Sequence, residues 1–108
     1  MQIPAYWAKG CWSGVDRQGK AIRIEAWGWS GESAEAARAR GEDRARRAGE
    51  RLRRGDRGRG ADSYDYLAAP LREEVLQEVR AGGEVVAVIT RNRYGSMVLN
   101  AARVCFVD

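Results

Sequence analysis

Apolar and polar positions alternate along residues 20–30 (KAIRIEAWGWS). Ile22, Ile24 and Ala26 fall on one face, and Arg23, Glu25, Trp27 and Trp29 on the other. A period of two marks a half-buried strand, because successive side chains of an extended backbone leave on opposite sides. Residues 5–13 (AYWAKGCWS) read as a partner strand, with Trp7 and Lys9 sharing a face. Gly14-Val15-Asp16-Arg17-Gln18-Gly19 joins the two as a hairpin loop.

The period then changes. Ala34, Ala37, Gly41, Ala45, Ala48 and Leu52 recur at steps of three and four, which is one stripe of a helix. Ser30 and Ser33 offer N-caps, Glu32 and Glu35 suit the positive first turn, and Gly55 follows Arg54 as a stop. Side chains this small bury little area, so the helix has to lie close against the sheet. Residues 55–63 (GDRGRGADS) read as a loop, and Tyr64-Asp65-Tyr66-Leu67 as a short extended piece. Pro70 opens a second helix with Leu71, Val75 and Val79 inside and Glu73, Glu74 and Glu78 outside, ended by Gly82-Gly83. Residues 84–91 (EVVAVITR) and 96–107 (SMVLNAARVCFV) form a last hairpin through Asn92-Arg93-Tyr94-Gly95. These two strands are more apolar on both faces than the first two, which suits central positions or a second face covered by something else. The expected fold is α+β: a four-stranded, mainly antiparallel sheet in β-β-α-α-β-β order, with one long and one short helix packed on one face.

Composition narrows the function classes. The 108 residues fit one small domain spanning 1–108 and leave no room for a barrel enzyme or a doubly wound nucleotide fold. With no His there is no His-based acid/base pair, catalytic triad of the usual kind or His metal ligand. Two Cys alone do not build a structural zinc site, so neither a metal nor a cofactor is expected. Met1–Pro4 is neither a basic leader nor an apolar signal core, and no apolar run reaches the ~18 residues of a membrane helix. A cytoplasmic protein with no membrane partner is expected. Cys11 and Cys105, in the first and last strands, are expected to be buried free thiols, and a disulfide would need those strands to be neighbours.

Charge is uneven. The net charge is +4, yet residues 38–59 hold ten Arg against four acids, so +6, and the remainder is −2. Arg40, Arg44, Arg47, Arg51 and Arg54 line one helix face at steps of 4, 3, 4 and 3. A localised basic face attracts polyanions. Two ordinary explanations compete. Asp43–Arg47, Glu42–Arg46 and Glu50–Arg54 are i,i+4 pairs of a solvated face. The ratio of 17 Arg to 2 Lys also resembles the bias of a GC-rich genome.

Few motifs survive inspection. Gly14…Gly19-Lys20 follows the start of a phosphate loop, but Ala21 has no hydroxyl for magnesium and a strand follows where a helix must open. Tyr94-Gly95-Ser96-Met97-Val98 lacks the final Gly of a nucleophile elbow. No catalytic residue is assigned, and an enzyme is not expected. Arg57-Gly58-Arg59-Gly60 is a short echo of arginine-glycine RNA-binding tracts. The tip Arg91-Asn92-Arg93-Tyr94 sets two guanidinium groups beside an aromatic ring.

Three stretches carry a resemblance. Ile3-Pro4-Ala5-Tyr6-Trp7-Ala8-Lys9, Pro70–Leu76 (PLREEVL), and the pair Ala87–Gly95 (AVITRNRYG) and Val98–Val104 (VLNAARV) resemble the amino-terminal part of a bacterial protein family with no established activity. Members of that family often continue into a second domain, so the resemblance implies either a stand-alone module or a shortened member. It transfers no functional residue.

The leading expectation is a non-catalytic nucleic-acid-binding module of low sequence specificity, for DNA or RNA. Arg40, Arg44, Arg47 and Arg51 would neutralise phosphates; Arg91, Arg93 and Tyr94 would touch backbone or an unpaired base; Trp27 or Trp29 would stack. The alternative is a protein-interaction or dimerisation domain docking a second domain or another copy through the Trp-bearing sheet face. A third reading is the remnant of a two-domain enzyme.

Overall fold

The alternating segments at the start of the chain do fold as a hairpin, but the second half departs from expectation. The computed structural model describes residues 2–54 and 74–107. Their elements run β1 (Tyr6–Val15), β2 (Ala21–Ser30), α1 (Ala34–Arg53), β3 (Glu74–Ala81), β4 (Glu84–Arg91), β5 (Met97–Ala101) and β6 (Cys105–Val107). They form two three-stranded antiparallel sheets, ordered β1-β2-β6 and β3-β4-β5. The chain divides into two compact units: Ile3–Gly60 with Val104–Asp108, and Ala61–Arg103 with Met1–Gln2.

In the first unit β1 and β2 pair without a break from Tyr6↔Ser30 to Val15↔Ala21. Asp16 closes the turn, its Oδ1 accepting from the backbone N–H of Gln18 at 2.8 Å and of Lys20 at 2.9 Å. This is an Asx turn between strands, so the phosphate-loop spacing does not open a helix. Ser33 caps α1, its Oγ accepting from the Ala36 N–H at 3.0 Å. Four of the expected stripe residues, Ala37, Gly41, Ala45 and Ala48, are buried, while Ala34 at the start is exposed.

That stripe meets Ile24, Ala26 and Gly28 of β2, and the approach is backbone on backbone. A Cβ on Gly41 would stand 2.6 Å from the Ala26 carbonyl oxygen and 2.8 Å from the Gly10 nitrogen. A Cβ on Gly28 would collide with the Ala37 carbonyl oxygen. Ile24, Ala26, Ala45 and Ala48 form the core, with Trp12, Ile22 and Val104 packed against them. Alanine removes little area from water, at roughly 25 cal/mol per Å². Close dispersion contacts between the two backbones and the large Trp12 ring therefore make up the difference.

The second unit is a meander. Strand β4 is buried on both faces: Val86, Val88 and Thr90 on one, Ala87 and Ile89 on the other. The expectation that residues 84–91 lie centrally holds within this sheet. Thr90 accepts a hydrogen bond from Asn100 Nδ2 at 2.9 Å, which satisfies a polar group in an apolar layer.

Two expectations fail here, and the four-stranded sheet with two helices fails with them. Residues 74–81 are strand β3 and not a helix. Val75 and Val79 are four apart, a spacing that fits one face of a helix, but in β3 a register shift between Val75 and Gln77 pairs them with Thr90 and Ala87, on opposite faces of β4. The deciding signal is Gly82-Gly83, with φ of 56° and 78°. Two consecutive positive φ values build the two-residue turn of a hairpin. Residues 96–107 are not one strand either. Strand β5 pairs with β4, whereas β6 pairs with β2 of the other sheet. The expected loop at 55–63, the extended piece at 64–67 and the helix start at Pro70 and Leu71 lie outside the described residues.

Candidate functional site

Strand register assembles the aromatic cluster. Trp7 pairs with Trp29 and Lys9 with Trp27. All four lie on the face turned away from α1, since the intervening Ala26 and Gly28 are buried beneath the helix. The Trp7 and Trp29 ring centroids are 5.7 Å apart, tilted by 40°. Trp7 Nε1 donates to the Pro4 carbonyl at 2.9 Å, which fixes its ring. Lys9 Nζ lies 5.2 Å from the Trp27 centroid and 3.5 Å from Glu25 Oε2. The three indoles are half-buried.

The helix adds cations. Strand β6 pairs with β2 only over Arg23–Glu25. Beyond that stretch, Arg44 reaches from α1 and its Nη1 donates to the Trp27 carbonyl. The Arg44 guanidinium lies 5.2 Å from the Trp29 centroid and the residue is 5% exposed. Arg40, one turn earlier, also stands 5.2 Å from the Trp29 centroid, but it is exposed. The glycine contacts make this reach possible, because a helix held further from the sheet would leave both guanidinium groups short of the ring.

The remaining cations of the stripe are placed differently. Arg47 Nε pairs with Asp43 Oδ2 at 2.9 Å, as its spacing suggested. Arg46 bridges Asp43 and Glu50, not Glu42, and the hydrogen bonds it donates, first to Asp43 and then to Glu50, hold its guanidinium pKa above the ordinary value. Glu42 pairs instead with Arg38 at 3.4 Å. Arg51 is half-buried one turn past Arg47. Exposed pairs of this kind chiefly neutralise charge. Within the arginine stripe of the sequence, Arg40 and Arg44 thus gather at Trp29, while Arg47 is matched with a carboxylate.

In the second unit Arg91 ends β4, and Arg93 and Tyr94 lie on the turn that follows it. Asn92 Oδ1 accepts from the backbone N–H of Tyr94 at 2.9 Å and of Ser96 at 3.0 Å, shaping the turn. Arg93 lies 4.9 Å from the centroid of the Tyr94 ring, which is 77% exposed.

Next to Trp29 is an open hollow of about 350 Å³ lined by Trp29, Ser30, Gly31, Glu32, Ala36 and Arg40. Its volume is at the lower end of the roughly 300–1,000 Å³ of small-molecule sites. Ser30 Oγ accepts from the Glu32 N–H at 3.0 Å, which shapes the rim. Arg40 lies against the aromatic wall. An exposed cation–π contact of this kind contributes about 0.5–1 kcal/mol. A nucleobase stacked on an aromatic side chain contributes about 1–3 kcal/mol, more than such a contact. A second hollow of about 370 Å³, beside Cys11 and Trp12, is lined by Glu42, Asp43 and Arg46, which are engaged in the ion pairs above.

The cysteines correct another expectation. Cys11 and Cys105 are free, but both are exposed. Each pairs in register with Glu25, from opposite sides of β2. Two strand spacings, roughly 9.6 Å, separate them, beyond the ~7 Å reach of a disulfide. Arg23 Nε donates to Cys11 Sγ at 3.1 Å, and that contact, with Glu25 nearby, raises the guanidinium pKa. Among the described residues no group of three or more His, Cys, Asp or Glu is arranged to hold a metal ion, and no helix is long and apolar enough to cross a membrane.

Sequence reasoning named Trp27, Trp29, Arg40 and Arg44 without showing that they meet. It missed the burial of Arg44 and the hollow at 29–36. The available signal was Gly28 opposite Gly41: small residues on both layers bring a helix close enough for its long side chains to wrap a strand. No family model, no curated protein and no solved structure matches this chain.

Proposed function

We propose that the protein is a non-catalytic nucleic-acid-binding module of low sequence specificity whose contact surface is the Trp7–Trp29 indole pair with Arg40 at its rim. The observation that carries this reading is the meeting of Arg40 and Arg44 of α1 with the ring of Trp29. Arg44 holds the ring and the strand edge in place. The exposed Arg40 supplies a guanidinium to phosphate, and the indoles supply stacking surfaces. Arg47, beside Asp43, contributes less. Arg91, Arg93 and Tyr94 add a second, weaker contact from the hairpin tip.

Protein docking through the same face fits less well. Cations within 5.2 Å of two of its indoles make it a charged aromatic surface and not a bare apolar one. Two exposed free thiols suit a reducing compartment, which favours the cytoplasm.

The test is the affinity of the full chain for a labelled oligonucleotide of mixed sequence as salt is raised. Phosphate contacts demand a steep, log-linear loss of affinity. Absence of binding at low salt overturns the reading. A salt-resistant dimer in light scattering that dissociates on Trp27→Ala replaces it with the docking alternative.

A further inference from the structure

The hollow beside Trp29 has a chemistry more specific than a basic patch. One wall is the indole of Trp29, partly covered by the Arg40 guanidinium. The rim carries Ser30 and Glu32. A carboxylate at the rim repels phosphate, so this recess is ill suited to hold the backbone of a strand. It is well suited to a flat ring that brings a hydrogen-bond donor. Carboxylates accept from exocyclic amino groups of bases, as Glu and Asp do from cytosine N4. Arg40 is exposed and holds the ring by the weaker of the two available contacts. An incoming base takes its place on the indole, and the released guanidinium turns to the adjacent phosphate. A base within a duplex is stacked on both faces and has its amino group engaged, so only an unpaired base meets these demands.

We infer that the hollow formed by Trp29, Ser30, Glu32 and Arg40 receives one unpaired, amino-bearing nucleobase of a single-stranded nucleic acid. This rests on the nucleic-acid reading above and assigns it a strand state and a base preference. Thymine and uracil offer a carbonyl where cytosine and adenine offer an amine, so Glu32 discriminates against them.

Competition against a labelled mixed-sequence strand tests it, with oligo(dC), oligo(dA), oligo(dT) and a mixed-sequence duplex of about ten nucleotides as competitors. The expected order places oligo(dC) and oligo(dA) at least about fivefold tighter than oligo(dT), the size of one good base contact. The duplex competes more weakly than any of the single strands. Glu32→Gln, at an exposed position, narrows the gap between oligo(dC) and oligo(dT) to within about twofold, because the amide both donates and accepts. Arg40→Ala weakens all strands and leaves their order intact. Equal competition by oligo(dT), by the duplex, or an unchanged base preference in Glu32→Gln overturns this inference while salt-dependent binding keeps the parent reading. Absence of binding by every nucleic acid overturns both.

Discussion

The two units each place an arginine against an aromatic ring, at nearly the same distance and with opposite physical character. Arg44 and Arg40 lie 5.2 Å from the Trp29 centroid, and Arg93 lies 4.9 Å from that of Tyr94. The Trp29 ring is half-buried, packed against Trp7 and fixed by an arginine that is 5% exposed. The Tyr94 ring is 77% exposed on a four-residue turn. Distance alone therefore says little about what a cation–π pair does. At Trp29 the surrounding layers pre-organise the pair, so the proposed ligand would meet a surface already in place. At Tyr94 the proposed contact would have to order exposed side chains, at about 0.5–1.5 kcal/mol for each.

The comparison breaks first at the glycines. Gly28→Ala or Gly41→Ala drives a methyl group into backbone that has no flexible end to yield. The expected loss is at or above the upper end of the about 1–3 kcal/mol of overpacking, and thermal melting of each variant measures it. The same changes should separate α1 from β2 and abolish the proposed oligonucleotide binding, whereas Gly83→Ala should strain only a turn and leave the indole surface intact. Arg44→Met comes next. It removes a charged donor from the Trp27 carbonyl, and denaturant titration should show a loss of about 1.5–3 kcal/mol. A loss below 0.5 kcal/mol, a bound at the scale of ordinary surface changes, contradicts a holding role for that side chain.

Smaller effects sharpen the contrast. Ser33→Ala removes the N-cap of α1 and should cost about 1 kcal/mol in the same titration. Arg40→Ala should lower stability by less than about 1 kcal/mol. It should nevertheless reduce the salt slope of oligonucleotide binding by about one. Arg93→Ala should leave stability within about 0.5 kcal/mol of the parent and weaken binding less than Arg40→Ala does. An effect of Arg93→Ala equal to that of Arg40→Ala makes the exposed tip, not the organised face, the principal contact.

The first half of the fold could be read because each of its signals has one meaning. Strict alternation in 20–30 fits only a strand, and the steps of Ala37, Gly41, Ala45 and Ala48 fit only a helix. The second half could not, because Val75 and Val79 keep a helical spacing that a register shift in β3 hides, and Gly82-Gly83 both ends a helix and turns a hairpin. The transfer of Cys105–Val107 to the other sheet depends on a break at Ala102–Val104 that no residue there announces. The site follows the same logic. Its members are visible as types, a basic stripe and a run of tryptophans. Their meeting at Trp29 depends on how closely two backbones approach, a tertiary quantity that composition only hints at. Pairing within the helix, with Arg46 choosing Asp43 and Glu50 over Glu42, is likewise a matter of rotamer and not of spacing.

Tryptophan emission of the full chain, recorded as a single-stranded oligonucleotide is added at low salt and then as salt is raised, tests the central claim most directly. Stacking on the Trp7–Trp29 pair predicts quenching that saturates, is reversed by salt and is largely lost in Trp29→Phe. Emission that stays unchanged while the oligonucleotide is added at low salt contradicts it.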